Sequence, residues 1–227
     1  MIKSFFEYIK NPVQTEITEL FTFKIYIKLI VLCNLLGLAF TVLPFIVNSF
    51  ELLPTNQKPK IDSLLIFVIV VILGPLLEET LFRLNLKITK LNMTAFLAVL
   101  LILITKVCFF SGMRLYFYLS SIPLFFLVYY TISLFNFPLE GIATFLESKF
   151  KYIFHLSAII FGMIHLSNYE TIYWWMIIII PIITAPYISM GYIFGYVRMK
   201  YGFLYGLLMH STINFIFAFM VMPKHWL

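Results

Sequence analysis

The chain has 227 residues, of which 62% are apolar and only 11% charged, against roughly 25% charged in a soluble domain. That deficit excludes an ordinary water-soluble globule, and the apolar content excludes disorder, which needs little hydrophobicity and much charge. The net charge of +6 is scattered between apolar runs, so it reads as membrane topology; no nucleic-acid partner is expected.

Residues 1–23 carry Lys3, Glu7, Lys10, Glu16 and Glu19 and lack the charged-then-apolar plan of a signal peptide. Ile2, Phe5, Phe6 and Ile9 can share one face, which predicts a short interfacial helix in a cytoplasmic or interfacial N-terminal segment. Apolar runs follow at about 25–49, 63–82, 92–110, 115–135, 152–168, 172–197 and 203–222. Each crossing takes about 20 apolar residues, and lipid cannot satisfy bare backbone groups, so helices are the expected solution. The runs are unbroken, without the dyad alternation of a spanning barrel. The expected fold is all-α: a polytopic helical membrane bundle of about seven transmembrane helices, a single membrane domain over 1–227.

Two polar stretches, 51–62 with Pro54 and Pro59, and 136–151, read as loops. Gly74-Pro75 is expected to break or restart its helix. Cys33 and Cys108 both lie in apolar runs, which suits buried thiols and rules out a disulfide framework. Tyr173-Trp174-Trp175 suits an interfacial aromatic belt. Seven crossings collect Lys3, Lys10, Lys24, Lys28, Arg83, Lys87, Lys90, Lys149, Lys151, Arg198 and Lys200 on one side. Lys58, Lys60, Lys106, Arg114 and Lys224 fall on the other. An excess of cytoplasmic Lys and Arg then predicts a multi-pass cell-membrane protein with its N-terminus in the cytoplasm.

Ionisable groups inside apolar runs are expensive and are functional-site hypotheses by default. Here they are Glu78, Glu79, Arg83, His165 and His210, with Asn214 as a polar companion. Glu79 and Arg83 have the i,i+4 spacing of a helical ion pair, which would hold Glu79 as a fixed anion. Glu78 lies about 100° around the helix with no such partner, and a desolvated carboxyl beside a negative neighbour suits a general base. The bland alternative is a wet helix end. His165 follows a long apolar stretch, with Phe161 one turn earlier over the same face; a capped helix end would also explain it. His155 reads as interfacial and inert. His210 and Asn214 share a stripe and can aim two donors at one point, as an oxyanion site requires, or serve as an inter-helix contact. Three such groups in three separate apolar helices are hard to explain as unrelated packing events. At about 1.5 Å per residue, Glu79 lies near the cytoplasmic end of its helix and His165 nearer the far side. Tilt, or the Gly74-Pro75 break, must close that gap.

Other intramembrane mechanisms lack their residues. The single aspartate, Asp62, cannot make an aspartyl dyad, and none of the four histidines begins HExxH. No GxSxG string occurs, although Ser211 beside His210 stays open as a nucleophile.

EETLFR at 78–83 fits EExxxR, Phe161-Gly-Met-Ile-His165 fits FxxxH, and His210-Ser-Thr-Ile-Asn214 fits HxxxN. In this order the three motifs resemble the CPBP (Abi) family, which includes the type II CAAX prenyl endopeptidases and bacterial relatives linked to bacteriocin immunity. The resemblance covers roughly 63–90 and 150–222. It implies an all-helical bundle with its site in a membrane-embedded cavity. It further implies peptide-bond hydrolysis by water that Glu78 activates with help from His165. His210 and Asn214 would stabilise the oxyanion, while Glu79, Arg83 and Phe161 support the site. Residues 92–135 would then be an inserted helical hairpin. The implied partners are membrane lipid and a peptide or membrane-protein substrate. Relatives are often labelled metalloproteases, yet Asn is a poor zinc ligand and a Glu-and-His water mechanism needs none; no cofactor is assigned and zinc stays open. The alternative is a non-catalytic immunity or scaffold protein that keeps the family fold.

Overall fold

A computed structural model of the chain describes residues 2–14, 20–49, 64–109, 121–134, 139–169 and 171–221. The described chain is a helical bundle. Helix α1 (Ile2–Lys10) precedes α2 (Phe23–Ser49) and α3 (Leu64–Leu86). Then come α4 (Lys90–Phe109), α5 (Ser121–Leu134), α6 (Leu139–Ser148) and α7 (Phe150–Ile164). Helices α8 (Ile180–Tyr201) and α9 (Phe203–Val221) complete it. Five helical segments among the described residues are long and apolar enough to cross a membrane: Phe23–Ser49, Leu64–Leu86, Phe150–Asn168, Ile180–Tyr201 and Phe203–Met220. The protein is therefore an all-α, multi-pass membrane bundle. The two remaining runs contribute α4 and α5, which pack on each other through Met93, Ala98, Val128 and Ile132. The 51–62 connector and the side chain of Cys108 lie outside the described residues, whereas Cys33 is buried.

Two expectations need correction. The stretch 136–151 is not a loop throughout: Leu139–Ser148 is helical, with Glu140 in its first turn, where an acidic side chain complements the helix dipole. Its polar residues belong to an amphipathic helix and not to a linker. Helix α1 does lie where expected, but its buried residues are Phe5 and Tyr8, while Ile2 and Phe6 remain exposed. The Phe5 and Tyr8 rings both meet Tyr196 edge-on, at 5.4 and 5.5 Å, so α1 is docked on the bundle. Gly74-Pro75 is, as expected, where the α-helix restarts, with Pro75 in its first turn, although the interruption before it stays helical. The chain winds from Leu64 to Leu86 through a single π turn at Ile69–Leu73 and a terminal 3-10 turn at Leu84–Leu86.

Helix α8 is the centre of the bundle. Its membrane-crossing window is 56% buried, against 33% or less for the other four. It packs on α7, α2 and α9. Small residues let it do so, because close backbone approach replaces the hydrophobic drive that lipid removes. A methyl group added at Gly162 of α7 would lie 2.8 Å from the Ile188 amide nitrogen, and one at Gly191 would lie 3.0 Å from the Ala158 carbonyl. Helix α8 stops at Gly202, whose φ of 108° is a conformation that side chains with a Cβ rarely adopt. The chain reverses there directly into α9.

Candidate active site

The tight α8–α9 reversal and the unbroken α3 set the depth of the site. Glu79 lies seven residues from the end of α3 at Leu86, and His210 seven residues from the start of α9 at Phe203. Both stand about 10 Å in from the same ends of the bundle, and they meet. The His210 Nδ1–H donates to Glu79 Oε1 over 3.0 Å. The opposite ring nitrogen, Nε2, faces Glu78 Oε2 at 3.6 Å. The imidazole is clamped between two adjacent carboxylates, and Phe194 of α8 stacks on its face at 4.4 Å.

The two carboxylates differ in environment. Glu79 is completely buried, while the Glu78 side chain keeps 31% of its exposure. Arg83, itself 1% exposed, approaches Glu79 Oε2 with Nε at 3.8 Å, the ion pair that the i,i+4 spacing anticipates. Its remaining donors reach across the bundle: Nη1–H to Ser157 Oγ at 3.4 Å and Nη2–H to the Gly191 carbonyl at 3.2 Å. The guanidinium also lies over the Phe161 ring, 4.7 Å from its centroid, in cation–π geometry. Glu78 Oε2 is buried but accepts no hydrogen bond from the described residues. Glu79 Oε2 likewise accepts no hydrogen bond, but it faces the Arg83 guanidinium at 3.8 Å, whereas among the described residues Glu78 has no cation beside it other than the His210 ring at 3.6 Å.

His165 sits at the C-terminal cap of α7, where its Nδ1–H donates to the Phe161 carbonyl at 2.8 Å. That bond satisfies an orphan carbonyl of the helix end and leaves the Nε2 lone pair for other work. The ring stacks on Tyr187 of α8 at 4.1 Å. Phe161 spans the gap between the histidines: its ring is 5.1 Å from His165 and 5.6 Å from His210. His165 is within electrostatic reach of both Glu78 and His210. Phe161 is the side chain that bridges the two histidine rings across the remaining gap. Away from this group, His155 is held by the Tyr192 hydroxyl at 3.0 Å.

Asn214 does not share a target with His210 through the bond it makes here. Its Nδ2 donates to the Val70 carbonyl of α3 at 2.9 Å. The amide keeps a second N–H.

Among the described residues, no group of three or more His, Cys, Asp or Glu is placed to hold a metal ion. His210 Nδ1 and Glu79 Oε1 face each other and not a shared third point. The groups that meet here are two carboxylates, an imidazole and hydrogen-bond donors.

Four residues escaped the reading of the sequence. Arg198 counted there as a topology charge, yet it is 6% exposed and its Nε–H donates to the Arg83 carbonyl at 3.3 Å. Ser157 of α7, which accepts from Arg83, also ties α7 to α3 by donating to the Phe82 carbonyl at 2.6 Å. Phe194 and Tyr187 each stack on a site histidine. A signal was present for two of them: Gly191, Phe194 and Arg198 recur at helical spacing along one stripe of α8.

No curated protein and no solved structure matches the chain. A family model described as Type II CAAX prenyl endopeptidase Rce1-like matches residues 60–216, a stretch that begins before Glu78 and ends just past Asn214. The chain belongs to the Rce1-like family of type II CAAX prenyl endopeptidases.

Proposed function

We propose that the protein is an intramembrane endopeptidase that hydrolyses a peptide bond with water activated by Glu78 and His165. The observation that carries this reading is the contact of Glu78 and Glu79 with His210, made across 131 residues of sequence inside a bundle whose other polar groups are few. Glu78, partly exposed and without a donor, takes a proton from water while the water oxygen adds to the scissile carbonyl. His165 orients that water through Nε2. The negative charge that develops on the carbonyl oxygen is met by His210 and by the second N–H of Asn214. The proton held on Glu78 passes to the leaving amine as the C–N bond breaks. Products are a carboxylate and an amine, and no acyl-enzyme forms. Glu79, Arg83 and Phe161 hold the acting groups in place.

The substrate is a peptide presented from the membrane: a prenylated tail, a signal-like peptide or a segment of another membrane protein. The same reading keeps the N-terminus in the cytoplasm, 1–227 as one membrane domain, and 92–135 as an inserted hairpin.

The test is reconstitution in proteoliposomes with peptides of these three classes in ¹⁸O water, with products read by mass spectrometry. One class is expected to yield a new carboxylate carrying one ¹⁸O. His165→Ala is expected to lower kcat by about 10²- to 10⁴-fold, the usual range for losing an acid–base group. A folded wild-type protein that cleaves none of them would contradict the reading and favour an immunity or scaffold role.

A further inference from the structure

We infer that Asn214 is a positioning residue: its side-chain amide replaces a backbone donor that Pro75 lacks, and so holds the π turn that aims Glu78 and Glu79. In the π turn the Gly74 N–H donates to the carbonyl of Ile69, five residues back. The next bond in that pattern would run from residue 75 to the carbonyl of Val70. Residue 75 is proline and has no N–H, and the Gly74 donor is already used. The Val70 carbonyl is therefore without a helical partner, in lipid, where an unsatisfied backbone group costs most. The Asn214 Nδ2 donor lies 2.9 Å from it.

The turn is built for this arrangement. A methyl group at Gly74 would press to 3.2 Å from the Ile69 carbonyl oxygen, so the smallest residue occupies the tightest point. On either side of the bond α9 packs against α3, with Phe215 edge-on to Phe67 at 5.9 Å and Ala218 in one cluster with Val71. A π turn inserts one extra residue into a helix and rotates the helix beyond it. Glu78 stands three positions after Pro75, on that rotated stretch. One turn back along α9, His210 grips Glu79. Asn214 and His210 thus fix the same helix at two levels, one through its backbone and one through its carboxylate.

The orientation claim rests on the peptidase reading; the hydrogen-bond claim does not. The experiment is a cycle of Asn214→Leu, Pro75→Ala and the double variant, reading both the thermal midpoint in detergent and kcat with KM. Asn214→Leu removes the donor, and a drop in midpoint of about 2–8 °C is expected, with kcat falling at least tenfold and KM little changed. Pro75→Ala restores a backbone N–H facing Val70. In the double variant the midpoint is expected to return towards that of Pro75→Ala alone, and kcat to recover over Asn214→Leu by the part lost through orientation while staying below that of Pro75→Ala, since the second N–H of Asn214 is still missing from the oxyanion site. If Asn214→Leu does not accumulate, accumulation of the double variant is the supporting result and its absence the contrary one. No recovery of the midpoint would overturn the proposal. A recovered midpoint with kcat unrecovered would overturn the orientation claim and leave Asn214 an oxyanion donor. An inactive wild type with an intact midpoint cycle would mark failure of the peptidase reading alone.

Discussion

Glu78→Gln is expected to give a protein that folds, reaches the membrane and does not cleave. The substitution keeps the shape of the side chain and removes its charge and its capacity to accept a proton. Little stability is at stake, because Glu78 is partly exposed and its Oε2 accepts no hydrogen bond from the described residues. A change within about 0.5 kcal/mol is the expectation for such a position. The rate is another matter. A base that takes the proton in the transition state contributes typically 10²- to 10⁴-fold, and here the nearest alternative carboxylate, Glu79, is committed to His210 and Arg83. The expected result is a kcat at or below the detection limit with KM and thermal midpoint little changed. Glu79→Gln should behave differently, lowering stability and activity together, since it disturbs both of the residues that Glu79 holds. Full activity in Glu78→Gln would remove Glu78 from the chemistry.

Arg83→Met is expected to be the most destabilising single change in the site. Arg83 is buried, pairs with a buried carboxylate, and donates to Ser157 and to the Gly191 backbone. Methionine keeps much of the volume and supplies none of these. The Glu79 anion then remains with its cation gone, and breaking a buried pair in this one-sided way costs about 3–5 kcal/mol. Adding Glu79→Gln to Arg83→Met should recover part of the loss, because the stranded charge is removed as well; a double-mutant cycle on the thermal midpoint measures that coupling. Lysine should not substitute either, since a single ammonium cannot serve two acceptors in the fixed fork that a guanidinium provides. A loss under about 1 kcal/mol for Arg83→Met, with no coupling to Glu79→Gln, would mean the pair is wet and idle.

The Glu79–Arg83 pair was legible because its partners are four residues apart on one helix, a spacing that the sequence displays directly. The partner on the other flank of Glu79 was not. His210 is 131 positions away, and nothing local encodes that the two rows of side chains face each other. Their equal depth emerges only once α3 is known to be continuous and the Gly202 reversal to be tight. Pro75 was legible as a disturbance but not as this one. A proline in water-soluble chains commonly ends a helix, whereas in lipid a break leaves backbone groups that cannot be tolerated; the chain instead adopts a π turn and borrows the Asn214 amide. Arg198 illustrates a limit of charge counting. A positive residue near a helix end fits the topology rule whether it faces headgroups or turns inward, and its inward turn depends on the small residues that let α8 sit at the centre. The helix at Leu139–Ser148 was obscured by its polarity, which suits a loop and an amphipathic helix equally.

The central claim is that an acid from α3 and an imidazole from α9 face each other in one pocket within the membrane. Cysteine cross-linking with a short bifunctional reagent in native membranes tests it most directly. With Cys33 and Cys108 replaced by Ser, the pair Glu78→Cys and His210→Cys is predicted to be bridged by a short bifunctional thiol reagent that replaces the lost reach, since the native side chains meet at 3.6 Å and two cysteines are too short to meet directly. The control pair, Glu78→Cys with Thr212→Cys, is predicted not to be, because Thr212 faces Tyr26 of α2. Equal cross-linking of both pairs, or none by the first while the protein remains folded, would contradict the account.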